Sequence, residues 1–179
     1  GDTVALISDA GTPLVSDPGA RLVRAALARG LRVEAVPGPS AVLAALVASG
    51  LAEGPFAFAG FAPNRSKART KWFASRAADP FPWIFFEAPH RLRASLADLQ
   101  ESIGDRTIAV CRELTKMHEE LVNGPISEVL NRLPVPRGEM TVVVKPREKT
   151  QLARTGVPTG AELLHEFGLL TKLGQGRRV

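Results

Sequence analysis

The amino-acid sequence predicts an α/β fold, and three observations carry that expectation. Short apolar runs alternate with stretches whose apolar residues recur every three or four positions, the spacing of a helix face. Glycine and proline stand at the junctions. The 179 residues are 45% hydrophobic, enough for one ordinary core or two small ones.

In order along the chain, residues 3–8 read as a buried strand. Asp17-Pro18 then supplies an N-cap followed by proline at the first helical position. Leu22, Val23, Ala26 and Leu27 give that helix an apolar face, and Gly30 is a stop signal. Residues 32–36 form the next expected strand. Pro37-Gly38-Pro39-Ser40 opens a second helix, with Val42, Leu43, Leu46 and Val47 turned inward and Gly50 at its end. This β-α-β-α order is the pattern of a parallel sheet covered by helices.

The spacing changes after "LAEGP". A strand is expected at 56–59, then the basic segment "NRSKARTKW", then a strand at 83–87. Pro89 starts a helix in which Leu92, Leu96, Leu99 and Ile103 repeat at helical spacing. Residues 107–113 read as a strand, 125–133 as a short helix and 140–145 as a final strand. The expected organisation is an N-terminal α/β unit over 1–50, a second over 51–146 and an irregular tail over 147–179, with a helical turn or two at 162–167. Two strands are too few for an independent parallel sheet, and position 1 is not methionine. The first unit is therefore expected to be incomplete, and the chain to be the later part of a longer protein.

No apolar run approaches the ~20 residues of a membrane span and no secretory signal opens the chain, so a cytoplasmic protein is the default expectation. Cys111 stands alone, and His90, His118 and His165 are scattered, so neither a disulfide framework nor a metal site is expected. The net charge is +5. The first fifty residues balance, with Arg21, Arg24, Arg29 and Arg32 against Asp2, Asp9, Asp17 and Glu34, so the basic excess lies downstream. Such a surplus suits a polyanion such as RNA, and is also common in proteins without one.

Two loops follow the first expected strands, "SDAGTPLVSDPG" and "PGPSAV". In an open α/β sheet, ligands sit beyond the carboxyl ends of strands. Gly11, Gly19 and Gly38 permit close backbone approach, and the amides near Ser40 and Ala41 stand at a helix N-terminus. Asp9, Asp17 and Ser40 also read simply as turn and cap residues, and Asp-Pro explains Asp17 fully. Residues 11–15 read as ligand contacts, because the loop is longer than a connection requires. Neither GxGxxG nor GxxxxGK[ST] follows the strand, so a dinucleotide fingerprint and a P-loop are unsupported.

The motifs "LISDAGTPLVSDPG", "VPGPSAV", "FFEAPHRL", "CRELTKMHEE" and "RGEM" occur in this order. Over roughly residues 1–145 the chain resembles the small-subunit ribosomal RNA 2′-O-ribose methyltransferase I group of the tetrapyrrole methylase superfamily. The resemblance implies a two-domain class III methyltransferase fold that binds S-adenosylmethionine between its domains. Gly11, Thr12, Pro13 and Val15 would line the methionine side, with Ser40 and Ala41 on the same wall. Phe86, Glu87 and Ala88, with Glu139 and Met140, would approach adenosine. The implied reaction is methyl transfer to a cytidine ribose in 16S rRNA of the small subunit, by a homodimer.

A base near the hydroxyl would help. Glu87, Glu113, Lys116 and Glu119 are candidates because they sit at or just beyond strand ends. Arg65, Lys67, Arg69 and Lys71 form a possible phosphate grip beside Trp72 and Phe73, and Arg91 and Arg93 extend the rim past His90. A solvated helix with Trp72 buried explains the same segment. Family members open with a "TPIGNL"-like loop and an "EDTR" segment, which are absent here, and the tail after Arg154 does not match theirs, so the chain alone is expected to be impaired. The rival readings are a methylase of tetrapyrrole precursors or of the diphthine type, and a non-catalytic RNA-binding remnant.

Overall fold

The computed structural model describes residues 2–8, 11–51, 54–133, 137–147 and 164. The expected tail and its helical turn at 162–167 lie, apart from residues 147 and 164, outside the described residues, as do Asp9 and the Ala52-Glu53 part of the expected boundary.

Five strands form one mixed sheet in the order β1-β2-β5-β3-β4: β1 (Ala57–Phe61), β2 (Trp83–Glu87), β3 (Thr107–Arg112), β4 (Glu120–Pro125) and β5 (Met140–Val144). Among the described residues only β1 and β2 run parallel; β5 lies antiparallel to both β2 and β3, and β4 antiparallel to β3. The helices are α1 (Ala20–Ala28), α2 (Ala41–Ser49), α3 (Ser66–Ala74), α4 (Leu92–Ile103) and α5 (Ile126–Asn131). A short 3-10 turn at Pro89–Arg91 leads into α4.

The period of two along each strand sorts the core into two layers. Trp83, Phe85, Ile108, Val110, Val142 and Val144 face α3, α4 and α5, through Phe73, Leu92, Leu96, Leu99, Ile126 and Val129. Ile84, Ala109, Cys111 and Val143 face the other way and meet Val42, Ala45 and Leu46 of α2. Helix α2 thus shares a core with strands beyond the boundary expected at residues 50–55. Its C-terminal end is pinned where Asn123 Nδ2 donates to the Ser49 carbonyl at 3.0 Å.

The N-terminal part departs from expectation. Residues 3–8 and 32–36 join no ladder among the described residues, and Val4 and Ile7 are exposed. A strand exists only through a partner's hydrogen bonds, and β-propensity alone does not provide one. Helix α1 starts at Ala20, after Gly19 with φ of 126°, and no side chain caps it, so Asp17-Pro18 lies in the preceding turns. None of its residues is buried; Leu22 and Leu27 stay in the open. In α2, Val42 and Leu46 point inward as expected, but Leu43 and Val47 are exposed while Ala45 and Ser49 are buried. Among the described residues no helix is long and apolar enough to cross a membrane.

Candidate active site

The register brings distant motifs to one end of the sheet. Glu87 stands opposite Met140, Met140 opposite Arg112, and Arg112 opposite Glu120. Phe61, at the end of β1, pairs with Phe86 at the same end. "FFEAPHRL", "CRELTKMHEE" and "RGEM" therefore meet there, where loops leave the carboxyl ends of β1, β2 and β3.

The loop after β3 is held tightly. Glu113 and Thr115 both have left-handed backbone, with φ of 46° and 67°, which is costly for residues other than glycine and clusters at functional sites. Glu113 N donates to the Glu139 carbonyl at 3.0 Å, and Glu139 N donates back to Glu113 Oε1 at 2.8 Å. Lys116 Nζ donates to Glu113 Oε1 and to Glu139 Oε2, each at 3.1 Å. Arg112 Nε donates to the Arg137 carbonyl at 3.0 Å, and its Nη1 meets Glu120 at 3.3 Å. Gly138 lies against Glu113 with φ of 81°.

These contacts decide the protonation states. The Glu139 amide, then the Lys116 ammonium, hold the Glu113 carboxyl below its ordinary range. Glu139 and then Glu113 hold Lys116 above its own. Protonated Lys116, which has no lone pair to accept a proton, bridges the two carboxylates as a clamp. Glu119 Oε2 accepts from Thr115 N, closing the same loop.

Glu87 is occupied too. Its side chain is fully buried; Oε1 accepts from Ala88 N at 2.7 Å and from Arg91 Nε at 2.8 Å, and Oε2 accepts from Ser95 Oγ. Glu87, a candidate base and adenosine contact in the sequence, is thus held by donors from Ala88, Arg91 and Ser95. Arg91, expected at an RNA surface, turns inward to Glu87, Asn64 and the Ala62 carbonyl.

The phosphate grip divides similarly. Arg69 is 4% exposed and pairs with Asp98 at 2.6 Å, with further donation to the Pro63 and Asn64 carbonyls. Residues two apart on a helix turn by about 200°, which carries Arg69 inward while Arg65, Lys67 and Lys71 stay exposed. Phe73 is a core residue, and Trp72 packs edge-on to Trp83 and Phe85.

The two N-terminal loops are tied to each other. Thr12 Oγ1 donates to the Pro39 carbonyl at 3.1 Å. Gly11, Leu14 and Ser16 all have left-handed backbone. Pro13 is half-buried, Val15 exposed, and Ala41 begins α2 after Ser40, whose hydroxyl accepts from Leu43 N at 3.4 Å as an N-cap. Sequence reasoning missed Arg112, Ser95 and Asn64, whose roles arise from partners far away in the chain. Gly138 was within reach of it, as the glycine of "RGEM".

A mixed sheet with this order, carrying long loops at one end, defines an α/β protein with a loop-built site. The chain belongs to the family of Tetrapyrrole (Corrin/Porphyrin) Methylases, whose model matches residues 1–130. Among its relatives is the Ribosomal RNA small subunit methyltransferase I of Mycobacterium bovis, 50% identical over 146 residues, which cover 80% of this chain and 51% of the relative. The protein of that name from Thermotoga maritima is 42% identical over 150 residues, 83% of this chain and 67% of that one. The chain thus spans about half the length of the first relative. Two solved structures share the fold. The methyltransferase CobJ has a TM-score of 0.55 and 22% identity over 80% of this chain and 64% of its own. Uroporphyrin-III C-methyl transferase from Thermus thermophilus, complexed with S-adenyl homocysteine, has 0.51 and 19% over 74% and 62%.

Proposed function

We propose that the chain is part of an S-adenosylmethionine-dependent methyltransferase acting on the ribose 2′-OH of a cytidine in small-subunit rRNA. The observation that carries this reading is the convergence of three separated motifs on one sheet end, in a chain 50% identical over 146 residues to a relative named as a ribosomal RNA small subunit methyltransferase. The exposed cations Arg65, Lys67 and Lys71 favour an RNA substrate.

The residues present fit the donor. The loop at 11–16 carries no cation, which suits a zwitterionic amino acid more than a polyphosphate. In this reading Gly11, Thr12, Pro13, Val15, Ser40 and Ala41 hold the methionine side. Phe86, Ala88, Glu139 and Met140 hold adenosine, with Glu87 fixing the Ala88 amide. When bound, S-adenosylmethionine supplies an electrophilic methyl on sulfur. Glu113 accepts from the Glu139 amide and Lys116, and Glu87 from Ala88, Arg91 and Ser95, so in this reading the chain chiefly aligns the hydroxyl and excludes water. A cytoplasmic location and a homodimer belong to the same reading, resting on the family resemblance.

Calorimetric titration with S-adenosylmethionine, alongside circular dichroism, tests the donor site. Saturable binding that Thr12→Ala weakens is expected. A folded sample that takes up no donor sinks the assignment. Transfer of labelled methyl to small ribosomal subunits, read as 2′-O-methylcytidine by mass spectrometry, tests the substrate.

A further inference from the structure

A pocket of about 370 Å³ opens at the ends of β1 and β2, lined by Phe61, Asn64, Ala88, His90 and Arg91. Its volume falls within the ~300–1,000 Å³ typical of small-ligand sites. Phe61 ends the edge strand and is 58% exposed, an uncommon place for a large aromatic ring. Phe86 meets it edge-on at 5.4 Å, which steadies the ring.

The opposite wall is rigid. Arg91 is anchored by buried Glu87 and donates to the Asn64 side-chain oxygen, which orients that amide. Among the described residues the Asn64 NH₂ has no protein partner, and His90 is exposed beside it. The charge of Arg91 is already met by Glu87, so the pocket floor is poorly suited to a phosphate. The surroundings are basic: α3 begins two residues past Asn64, with Arg65, Lys67 and Lys71 exposed, and Arg93 is exposed on α4. A flat aromatic, fixed hydrogen-bond donors and a cationic rim are the parts with which proteins hold single-stranded RNA.

We propose that this pocket, which shares its Ala88 edge with the adenosine contacts proposed above, receives one unstacked nucleobase of a single-stranded RNA segment, stacked on Phe61 and hydrogen-bonded by the Asn64 amide, while Arg65 and Lys67 hold the adjoining phosphates. The proposal rests on the RNA reading above and gives it a base subsite.

The test is fluorescence anisotropy of the whole chain with a labelled oligocytidine RNA and with a fully abasic ribose-phosphate strand of equal length. Base–aromatic stacking predicts that Phe61→Ala weakens oligocytidine binding about five- to hundredfold and leaves the salt dependence unchanged. The abasic strand should bind Phe61→Ala as it binds the parent. Phe61→Leu, which keeps bulk without a π-face, should also lose affinity, and circular dichroism verifies both folds. If Phe61→Ala binds oligocytidine as the parent does while Lys67→Ala weakens it, the base subsite is wrong and the RNA reading stands. If the folded parent binds neither strand, both fall. If Phe61→Ala loses S-adenosylmethionine in calorimetry and keeps RNA, the pocket belongs to the methyl donor and the proposal is overturned.

Discussion

A Cβ placed on Gly138 would lie 2.5 Å from the Glu113 carboxylate. That approach, together with a φ of 81°, is what lets the segment before β5 close over the loop after β3. Gly138→Ala is expected to push the carboxylate off the Glu139 amide and to strain the backbone. The cost is about 1–3 kcal/mol, the range for a residue forced into left-handed geometry. Urea unfolding measures it; an unchanged midpoint would show that the two loops separate freely.

The clamp should titrate at both extremes of pH. The folded-state pKa of Glu113 lies below the ordinary 4.5, so its stabilisation is present above that value and lost as pH falls through the lower one. The folded-state pKa of Lys116 lies above 10.5, so its stabilisation is present below that value and lost as pH rises through the higher one. The clamp is therefore whole from about pH 5 to pH 10. The Glu139 amide resonance should move on the acid side of that window, and Glu113→Gln should remove the movement.

Arg69→Ala strips a buried ion pair of one partner and strands Asp98 between α3 and α4. Removing one member of such a pair costs about 3 kcal/mol. Lys71→Ala, on the exposed side of the same helix, should change stability by less than about 0.5 kcal/mol. Denaturant titrations of the two variants would separate the roles, and equal losses would contradict the division.

Burial, reinforced by the charge of Glu119, pushes the Cys111 thiol up to about 12. Since the thiolate is the reactive form, Cys111 should resist a thiol reagent at neutral pH in the folded protein and react fully once unfolded. Prompt labelling of the native chain would mean that the α2 side of the sheet opens readily.

The second half of the chain was largely legible in the sequence, because its strands are apolar runs with clear breaks and α4 repeats leucine at helical spacing. Strand β4 was missed. It lies at the sheet edge, buries only Val122 and ends in Gly124-Pro125, so neither alternation nor propensity marks it. Residues 3–8 and 32–36 failed in the opposite sense, since their composition favours a strand and no ladder is formed there among the described residues. The inward face of α2 was ambiguous because the helix is apolar nearly all round. At the candidate site, residue identity named loops that the strand register gathers at one sheet end. It did not reveal that Glu87, Arg69 and Arg91 spend their charges on one another and on Asp98, since pairing depends on tertiary placement.

The strand order has a consequence for synthesis. Among the described residues β5 is the last strand in the chain and the middle of the sheet, and it joins a β1-β2 ribbon to a β3-β4 hairpin that otherwise share no ladder. A nascent chain halted before Met140 holds two separate ribbons with their inner edges bare. Until translation passes Val144 those edges are open to any other extended segment, and the hazard ends when the keystone strand drops in.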